Sequence, residues 1–221
     1  METPFINHLT ADDFTQVYEP AQDTFLLLDA LEDDLSYLRA IKPHICLEVG
    51  TGSGIIITAL AKILTETLCL ATDINPFACT IAKRTARRND TNIDTIRTNL
   101  VDALRPNSID LLIFNPPYVA TSDEEFLYND FCDVNRTTSD NLIRAWAGGH
   151  NGIRIVDELL EKLDNIMSKR GVMYMLLLRE NNPKEIMNKL GNLNFETSIF
   201  KERRIPGEYL YILKVWRTSY S

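Results

Sequence analysis

Residues 45–54 read ICLEVGTGSG, an apolar run that ends in three glycines at alternate positions. The apolar part predicts a buried strand, and the glycines predict a tight turn in which the backbone can approach a ligand closely. Residues 54–66, GIIITALAKILTE, continue with the periodicity of a helix. The glycine spacing is G-x-G-x-G, which differs from the G-x-G-x-x-G of dinucleotide-binding folds. The stretch therefore predicts a strand, a glycine turn and a helix that together present a ligand site.

Strand and helix signals alternate along most of the chain. Apolar runs predict seven strands, at residues 45–50, 68–74, 93–101, 109–115, 171–179, 195–202 and 209–216. Helical spacing predicts five helices, at residues 20–39, 54–66, 76–89, 152–169 and 183–191. Such strands predict a parallel sheet with helices on both faces, and the two final strands, which have no helix between them, imply one antiparallel strand. The predicted fold class is α/β, with a seven-stranded, mostly parallel sheet.

The composition fits one globular domain. The 221 residues are 45% hydrophobic and 24% charged, and we assign residues 1–221 to a single domain with an N-terminal helical cap segment, residues 1–40. Residues 119–140 are polar and without periodicity, which predicts a mobile substrate loop or lid. The chain shows neither a membrane-spanning apolar run nor a signal peptide at its start, so we expect a cytoplasmic protein, with the nucleus as an alternative location.

The negative charge is concentrated at the N-terminus. The net charge is −8, and residues 1–48 hold ten acidic and two basic residues, whereas residues 49–221 hold 21 of each. Proteins that bind polyanions normally show the opposite bias, so we expect no direct contact with nucleic acid. The four cysteines form no C-x-x-C pair and the three histidines are scattered, so the sequence predicts no metal site.

Three acidic residues follow or end predicted strands. Glu48 stands two residues before the first glycine of the turn, where a carboxylate suits a ligand with a cationic amino group. Asp73 follows about 20 residues later, which suits hydrogen bonds to ribose hydroxyls; it could instead, or in addition, cap the helix that begins near Pro76. Asp102 could accept from an adenine amino group, or could be an ordinary loop residue. Together with Gly50 and Gly52, the three acids predict an S-adenosylmethionine site.

Residues 115–118, Asn-Pro-Pro-Tyr, directly follow a strongly apolar strand. The side-chain oxygen of Asn115 and the carbonyl of Pro116 form a pair of acceptors suited to an NH2 group, and Pro117 stiffens the turn. Tyr118 offers a planar face against which a planar group can pack. An amide or exocyclic amine is a poor nucleophile, and holding both of its N–H groups would aim the nitrogen at a methyl group. The alternative is a plain turn at the end of a strand.

EVGTGSG (48–54) and NPPY (115–118) together resemble the class I S-adenosylmethionine-dependent methyltransferases, which have a Rossmann-like fold. More narrowly, the chain resembles the eukaryotic and archaeal branch of the HemK/PrmC-type protein glutamine methyltransferases. The further matches are VYEPAQDTFLLLDALE (17–32), LEVGTGSG (47–54), ATDINP (71–76), FNPPYV (114–119), AWAGGHNG (145–152) and ENNP (180–183). Two positions depart from the family pattern: Gln22 replaces an acid, and His150 follows AWAGG where a basic residue is usual.

The resemblance implies a substrate, a partner and a set of site residues. The implied reaction is methylation of the side-chain amide nitrogen (N5) of the glutamine in the Gly-Gly-Gln motif of a class 1 translation termination factor. Asn115, Pro116, Pro117 and Tyr118 would hold that glutamine. The cofactor would be bound by Tyr18, Pro20, Thr24, Glu48, Gly50, Gly52, Asp73, Asp102, Ala103 and Asn115.

The implied partner is a small zinc-binding activator subunit that forms a heterodimer with the catalytic chain. The strand order implied by the resemblance, 3-2-1-4-5-7-6, leaves residues 93–101 at an exposed edge of the sheet. Ile93, Ile96 and Leu100 would add apolar surface there. An exposed edge invites pairing with another chain, so we expect the activator to bind at this edge.

Three other functions compete with this interpretation. Adenine-N6 methyltransferases of DNA or RNA also use N-P-P-Y/F, but the acidic N-terminal segment disfavours a nucleic-acid substrate. A protein lysine substrate would need a deprotonated amine and offers no planar group to pack on Tyr118. A non-catalytic scaffold would need neither Asn115 nor the glycine turn.

Overall fold

The computed structural model describes residues 1–122 and 145–217, and its centre is a seven-stranded sheet. The strands are β1 (Ile45–Val49), β2 (Leu68–Asp73), β3 (Asp94–Arg97), β4 (Ile109–Phe114), β5 (Met167–Leu178), β6 (Phe195–Ile205) and β7 (Glu208–Arg217).

The order across the sheet is β3-β2-β1-β4-β5-β7-β6, as the resemblance implied. β1, β2, β3, β4 and β5 pair in parallel, and β7 runs antiparallel to both β5 and β6. The prediction of a mostly parallel sheet with one antiparallel strand is therefore confirmed. Because β1 lies between β2 and β4, the ends of these three strands meet at one edge of the sheet.

Seven helices are described on the two faces and at the N-terminus. They are α1 (Ala11–Phe14), α2 (Gln22–Asp33), α3 (Leu35–Ile41), α4 (Ile55–Ile63), α5 (Pro76–Arg88), α6 (Arg154–Ile166) and α7 (Pro183–Asn192). Leu47 of β1 and Leu112 of β4 pack with one apolar cluster, and Cys46 and Leu111 pack with the other, so both faces of the sheet are covered. Within the described ranges, every helix is too short or too polar to cross a membrane.

The prediction of one helix over residues 20–39 is wrong at Asp34. The backbone leaves the helical conformation there, with φ −99° and ψ 13°, so α2 ends at Asp33 and α3 starts at Leu35. The Asp34 carboxylate accepts from the Tyr174 hydroxyl on β5 and from the Lys214 ammonium on β7. These contacts with the sheet explain why the chain turns at a position where the apolar spacing alone predicts a continuous helix.

Other boundaries shift by a few residues. β3 covers Asp94–Arg97 only, and residues 98–101 of the predicted strand 93–101 form a turn instead. The helix predicted over 152–169 ends at Ile166, and β5 begins at once, because the Ser168 hydroxyl donates to Asp110 on β4 over 2.6 Å. Most of the predicted loop, residues 119–140, lies outside the described residues.

Candidate active site

A cavity of about 460 Å³ lies at the carboxyl ends of β1, β2 and β4, within the usual size range of small-molecule sites. Parallel sheets bind ligands at this edge, where neighbouring strands continue into loops. Eleven of the predicted site residues line the cavity: Tyr18, Pro20, Thr24, Glu48, Gly50, Gly52, Asp73, Asn115, Pro116, Pro117 and Tyr118.

The glycine turn forms one wall of this cavity. Gly50 and Gly52 have φ of +67° and +51°, in the left-handed region that favours glycine. A Cβ atom added at either residue would meet nothing within 4 Å, so the conformation, and not a crowded neighbour, requires glycine here. The Gly50 N–H donates to the Thr72 carbonyl over 2.8 Å, which ties the turn to the end of β2. The open side of the turn faces the cavity.

Glu48 is a buried carboxyl group at the start of the turn. Its Oε2 accepts from the Thr51 hydroxyl over 2.6 Å and from the Ile57 N–H over 3.3 Å. Burial raises the pKa of Glu48 to about 8, because an ionised carboxylate is poorly solvated there. A cationic group bound beside it would favour the ionised form. The side chain thus both braces the turn and presents a carboxyl group suited to an amino group.

Asp73 connects the end of β2 to the glycine turn. Its Oδ2 accepts from the Gly52 N–H over 3.1 Å, and its Oδ1 accepts from the Asn75 N–H over 2.9 Å. Burial raises the pKa of Asp73 to about 6. The alternative role as a helix cap is wrong, because the side chain of Asn75 caps α5 by accepting from the Phe77 N–H over 2.9 Å.

The structure does not bring Asp102 or Ala103 into the wall of the cavity. The Asp102 carboxylate is half exposed and accepts from Lys162 on α6 over 2.7 Å. Lys162 also donates to Glu158 over 2.9 Å. Asn99 and Leu100, which come earlier in the same turn, line the cavity, as does Glu158. The structure thus shows Asp102 as a loop residue that forms an ion pair.

Asn115 is held in one orientation by Asp23. Its Nδ2 donates to Asp23 Oδ2 over 3.1 Å, and the Tyr118 hydroxyl donates to the same oxygen over 3.2 Å. A carboxylate accepts and does not donate, so the amide nitrogen must face Asp23 and the Oδ1 must point the other way. That Oδ1 is buried and has no hydrogen-bond partner among the described residues. Buried acceptors are rarely left unpaired, which indicates that a ligand N–H completes this one.

Asp23 is the site residue that sequence analysis missed. It stands in the first turn of α2, where an acidic residue is explained by favourable interaction with the helix dipole. Only 3% of its surface is exposed, however, and it lines the cavity. The sequence did contain a signal, because Asp23 is an acidic residue within the apolar-rich stretch 17–32. A carboxylate that is buried by such a stretch needs hydrogen-bond donors around it.

The tyrosines around Asp23 remain neutral. Burial and the Asp23 charge raise the pKa of Tyr18 to about 12 and raise the pKa of Tyr118 further. Burial and the Asp23 charge also raise the pKa of Glu208, at the start of β7. This end of the cavity therefore combines neutral phenol donors with carboxylates, around an amide that has a free acceptor.

A comparison with protein families assigns the chain. The family model described as "Methyltransferase small domain" matches residues 21–136, slightly more than half of the chain. The chain belongs to this methyltransferase family. The matched segment contains the glycine turn, Asp23, Asp73 and the Asn115–Tyr118 turn. Membership implies S-adenosylmethionine as the methyl donor of this methyltransferase.

Relatives of this methyltransferase match it over nearly its whole length. The human protein named Methyltransferase HEMK2 is 39% identical over 96% of this chain and 95% of its own length. The eRF1 methyltransferase catalytic subunit mtq2 of Schizosaccharomyces pombe is 35% identical over 98% of this chain and 96% of its own. Among solved structures, the E. cuniculi Mtq2-Trm112 complex, described as responsible for methylation of the eRF1 translation termination factor, superposes with a TM-score of 0.68 at 28% identity. It covers 92% of this chain and 99% of that one.

Proposed function

We propose that this methyltransferase transfers a methyl group from S-adenosylmethionine to the side-chain amide nitrogen of the glutamine in the Gly-Gly-Gln motif of a class 1 translation termination factor. One observation carries the choice of an amide: the buried Oδ1 of Asn115 has no partner among residues 1–122 and 145–217, while Asp23 fixes the opposite end of the same side chain. The names of the relatives support the choice of a termination factor as the protein that bears the glutamine.

The residues of the cavity fit the cofactor. We assign the Glu48 carboxyl to the amino group of its methionine part, and Asp73 to its ribose hydroxyls. Tyr18 and Pro20, which precede α2, and Thr24, in its first turn, also line the cavity. Their side chains would cover the bound molecule and exclude water, which favours the loss of charge that accompanies transfer from a sulfonium.

The protein orients the amide and supplies no covalent chemistry. When bound, the cofactor supplies an electrophilic methyl group on sulfur. The Oδ1 of Asn115 and the carbonyl of Pro116 each accept one N–H of the substrate amide, and the ring of Tyr118 packs on its plane. Both N–H groups are then fixed, so the nitrogen faces the methyl group. An N–C bond forms, the S–C bond breaks, and the amide gives up one proton, which passes to water.

The charges of the site favour an amide over a lysine ammonium. The Asp23 carboxylate lines the cavity beside Asn115 and Tyr118, and a nearby negative charge stabilises a protonated amine. A lysine placed there would be held in the form that lacks a nucleophilic lone pair. A neutral amide carries no such penalty and presents the two N–H groups that the acceptors require.

We further propose that a small activator subunit, with a zinc site of its own, covers the β3 edge of the sheet. β3 pairs with β2 on one side only, so its other side is unpaired within the described chain. The prediction that Ile93 and Leu100 add apolar surface is wrong, because both are only 8% exposed and pack into the core. Ile74, which directly follows β2 and whose carbonyl accepts from Arg97 of β3, is exposed. Phe77, in the first turn of α5, the helix that packs on β3, is exposed too.

Co-purification tests the proposed partner. Phe77→Asp should remove the activator from the purified complex, whereas Ile199→Asp, at an exposed position on β6 at the opposite edge of the sheet, should not. Equal retention of the activator by both variants would contradict binding at this edge. We propose that the pair acts in the cytoplasm, where termination factors work, with the nucleus as an alternative location.

Methyl transfer by the purified complex tests the function. The substrates are a class 1 termination factor, the same factor with its Gly-Gly-Gln glutamine changed to alanine, a histone peptide that contains lysine, and a DNA duplex that contains adenine. We expect transfer to the intact factor alone. Transfer to the alanine variant at the same rate, or faster transfer to the histone peptide or the DNA, would contradict the proposal.

A further inference from the structure

Asn181 lies behind the substrate-binding turn and does not line the cavity. It ends the short 3₁₀ turn Arg179–Asn181 that follows β5, and only 2% of its surface is exposed. Its Oδ1 accepts from the Leu178 N–H over 2.7 Å, at the last residue of β5. Its amide is thereby anchored to the sheet, with the nitrogen directed towards the neighbouring loops.

The Nδ2 of Asn181 joins two loops that are distant in sequence. It donates to the Tyr118 carbonyl over 3.0 Å and to the Asn151 carbonyl over 3.0 Å, and the Gly152 carbonyl lies 3.5 Å away. Tyr118 ends the Asn115–Tyr118 turn, and Asn151 belongs to the segment 145–152. One buried side chain thus links the end of β5, the substrate turn and this segment.

Segment 145–152 lies directly against the carbonyls of the substrate turn. The Val119 N–H donates to the Trp146 carbonyl over 2.9 Å, and the Gly148 N–H donates to the Val119 carbonyl over 2.8 Å. A Cβ atom at Gly148 would lie 2.5 Å from the Pro117 carbonyl oxygen, and one at Gly152 would lie 2.0 Å from the Tyr118 carbonyl oxygen. Glycines are therefore required where the segment and the turn meet.

We infer that Asn181 is a positioning residue for methyl transfer, acting through the Tyr118 carbonyl on the turn that holds the substrate amide. The inference rests on the proposed function, because it concerns the turn to which that proposal assigns the glutamine. Asp23 holds the side chains of Asn115 and Tyr118, whereas Asn181 holds the backbone carbonyl of Tyr118 and ties it to segment 145–152. Gly148 and Gly152 leave the space in which the carbonyls of Pro117 and Tyr118 lie against that segment.

The test compares Asn181→Asp with Asn182→Asp in the full chain with its activator. At position 181 the change keeps the acceptor for Leu178 but replaces the donor by an oxygen that faces two carbonyls. At position 182 the same change falls on an exposed side chain that donates to Glu185 over 3.1 Å. Leu190→Ala, on the buried face of α7, is the reference for a general loss of stability.

The first measurement needs no substrate. Amide hydrogen exchange at Val119 and Gly148 should become at least about tenfold faster in Asn181→Asp and change less than about twofold in Asn182→Asp. The second measurement is kinetic. Asn181→Asp should lower kcat on the termination factor by about tenfold or more while the Kd for S-adenosylmethionine changes less than about twofold. Leu190→Ala should change neither kcat nor that Kd once the folded fraction is taken into account.

Unchanged exchange at Val119 and Gly148 in Asn181→Asp would overturn the inference, whatever the substrate is. So would a loss of kcat that matches the loss of folded protein, as in Leu190→Ala. A wild-type protein that methylates no termination factor, combined with faster exchange in Asn181→Asp, would instead contradict the proposed function and leave the positioning of the turn established.

Discussion

Replacing Asn115 by Asp places a carboxylate oxygen where the Nδ2 donor now lies, 3.1 Å from Asp23. Two unit charges at that separation repel by up to about 5 kcal/mol at an effective dielectric constant of about 20. One pKa unit corresponds to about 1.4 kcal/mol, so the repulsion raises the pKa at which the pair loses its second proton by as much as about 4. The two carboxyl groups should therefore share one proton near neutral pH and lose it at alkaline pH.

The shared proton makes the variant active at low pH. A protonated Asp at position 115 can donate to Asp23 while its other oxygen accepts from the substrate, as the amide of Asn115 does. The assay is single-turnover transfer to the termination factor at pH 6.5 and 8.5. We expect the rate of Asn115→Asp, relative to wild type, to be about tenfold higher at pH 6.5. Asn115→Ala should lose about 10²-fold or more at both pH values.

Two results would refute the reasoning. If Asn115→Asp retains the wild-type rate at pH 8.5, Asp23 does not fix the orientation of the amide. If Asn115→Ala retains the wild-type rate, the unpaired Oδ1 has no role in holding the substrate, and the turn is purely structural. Circular dichroism and the Kd for S-adenosylmethionine, measured on each variant, separate these outcomes from unfolding.

Three further predictions concern the cofactor wall and the N-terminal helices. Asp73→Ala should weaken S-adenosylmethionine binding by ~1–3 kcal/mol in calorimetry, because charge-assisted hydrogen bonds are lost, and unchanged affinity would show that the ribose lies elsewhere. Glu48 has a folded-state pKa of about 8, above its ordinary 4.5, so its burial reduces stability progressively as pH rises from 4.5 to 8. Glu48→Gln should therefore raise the Tm of the cofactor-free protein at pH 8 by at least ~3 °C, change it less at pH 5, and weaken cofactor binding; an equal shift at both pH values would contradict this origin. Asp34→Ala leaves the largely buried Lys214 without its carboxylate and should lower the free energy of unfolding by about 2–3 kcal/mol in urea titrations, whereas a change near zero would show that this ion pair does not hold α2 and α3 to the sheet.

The parts of the fold that sequence predicts well are those that local patterns encode. β1, the glycine turn and α4 form one continuous signal, and Pro76 marks the start of α5. The break between α2 and α3 at Asp34 could not be predicted from local patterns. Its cause is a contact with Lys214, 180 positions along the chain, and no periodicity within residues 20–39 contains that information.

The candidate site also contains residues that local motifs predict and residues whose roles depend on distant contacts. The residues of the NPPY turn and of the glycine turn were predicted because each motif is contiguous and lies at a strand end. Asp23 was missed because its role depends on Asn115, 92 positions away. Asp102 was assigned to the cofactor from its position after a strand, whereas its carboxylate is paired with Lys162, 60 positions away. Long-range hydrogen bonds thus decide which acidic residues face the cavity.

The most direct test of the account locates the transferred methyl group. The complex is incubated with a class 1 termination factor and isotope-labelled S-adenosylmethionine, and the Gly-Gly-Gln peptide is fragmented by mass spectrometry. The account predicts one labelled methyl group on the side-chain nitrogen of the glutamine, and its loss with Asn115→Ala. A label on a lysine, on the peptide backbone or on another residue, with the glutamine unmodified, would contradict it.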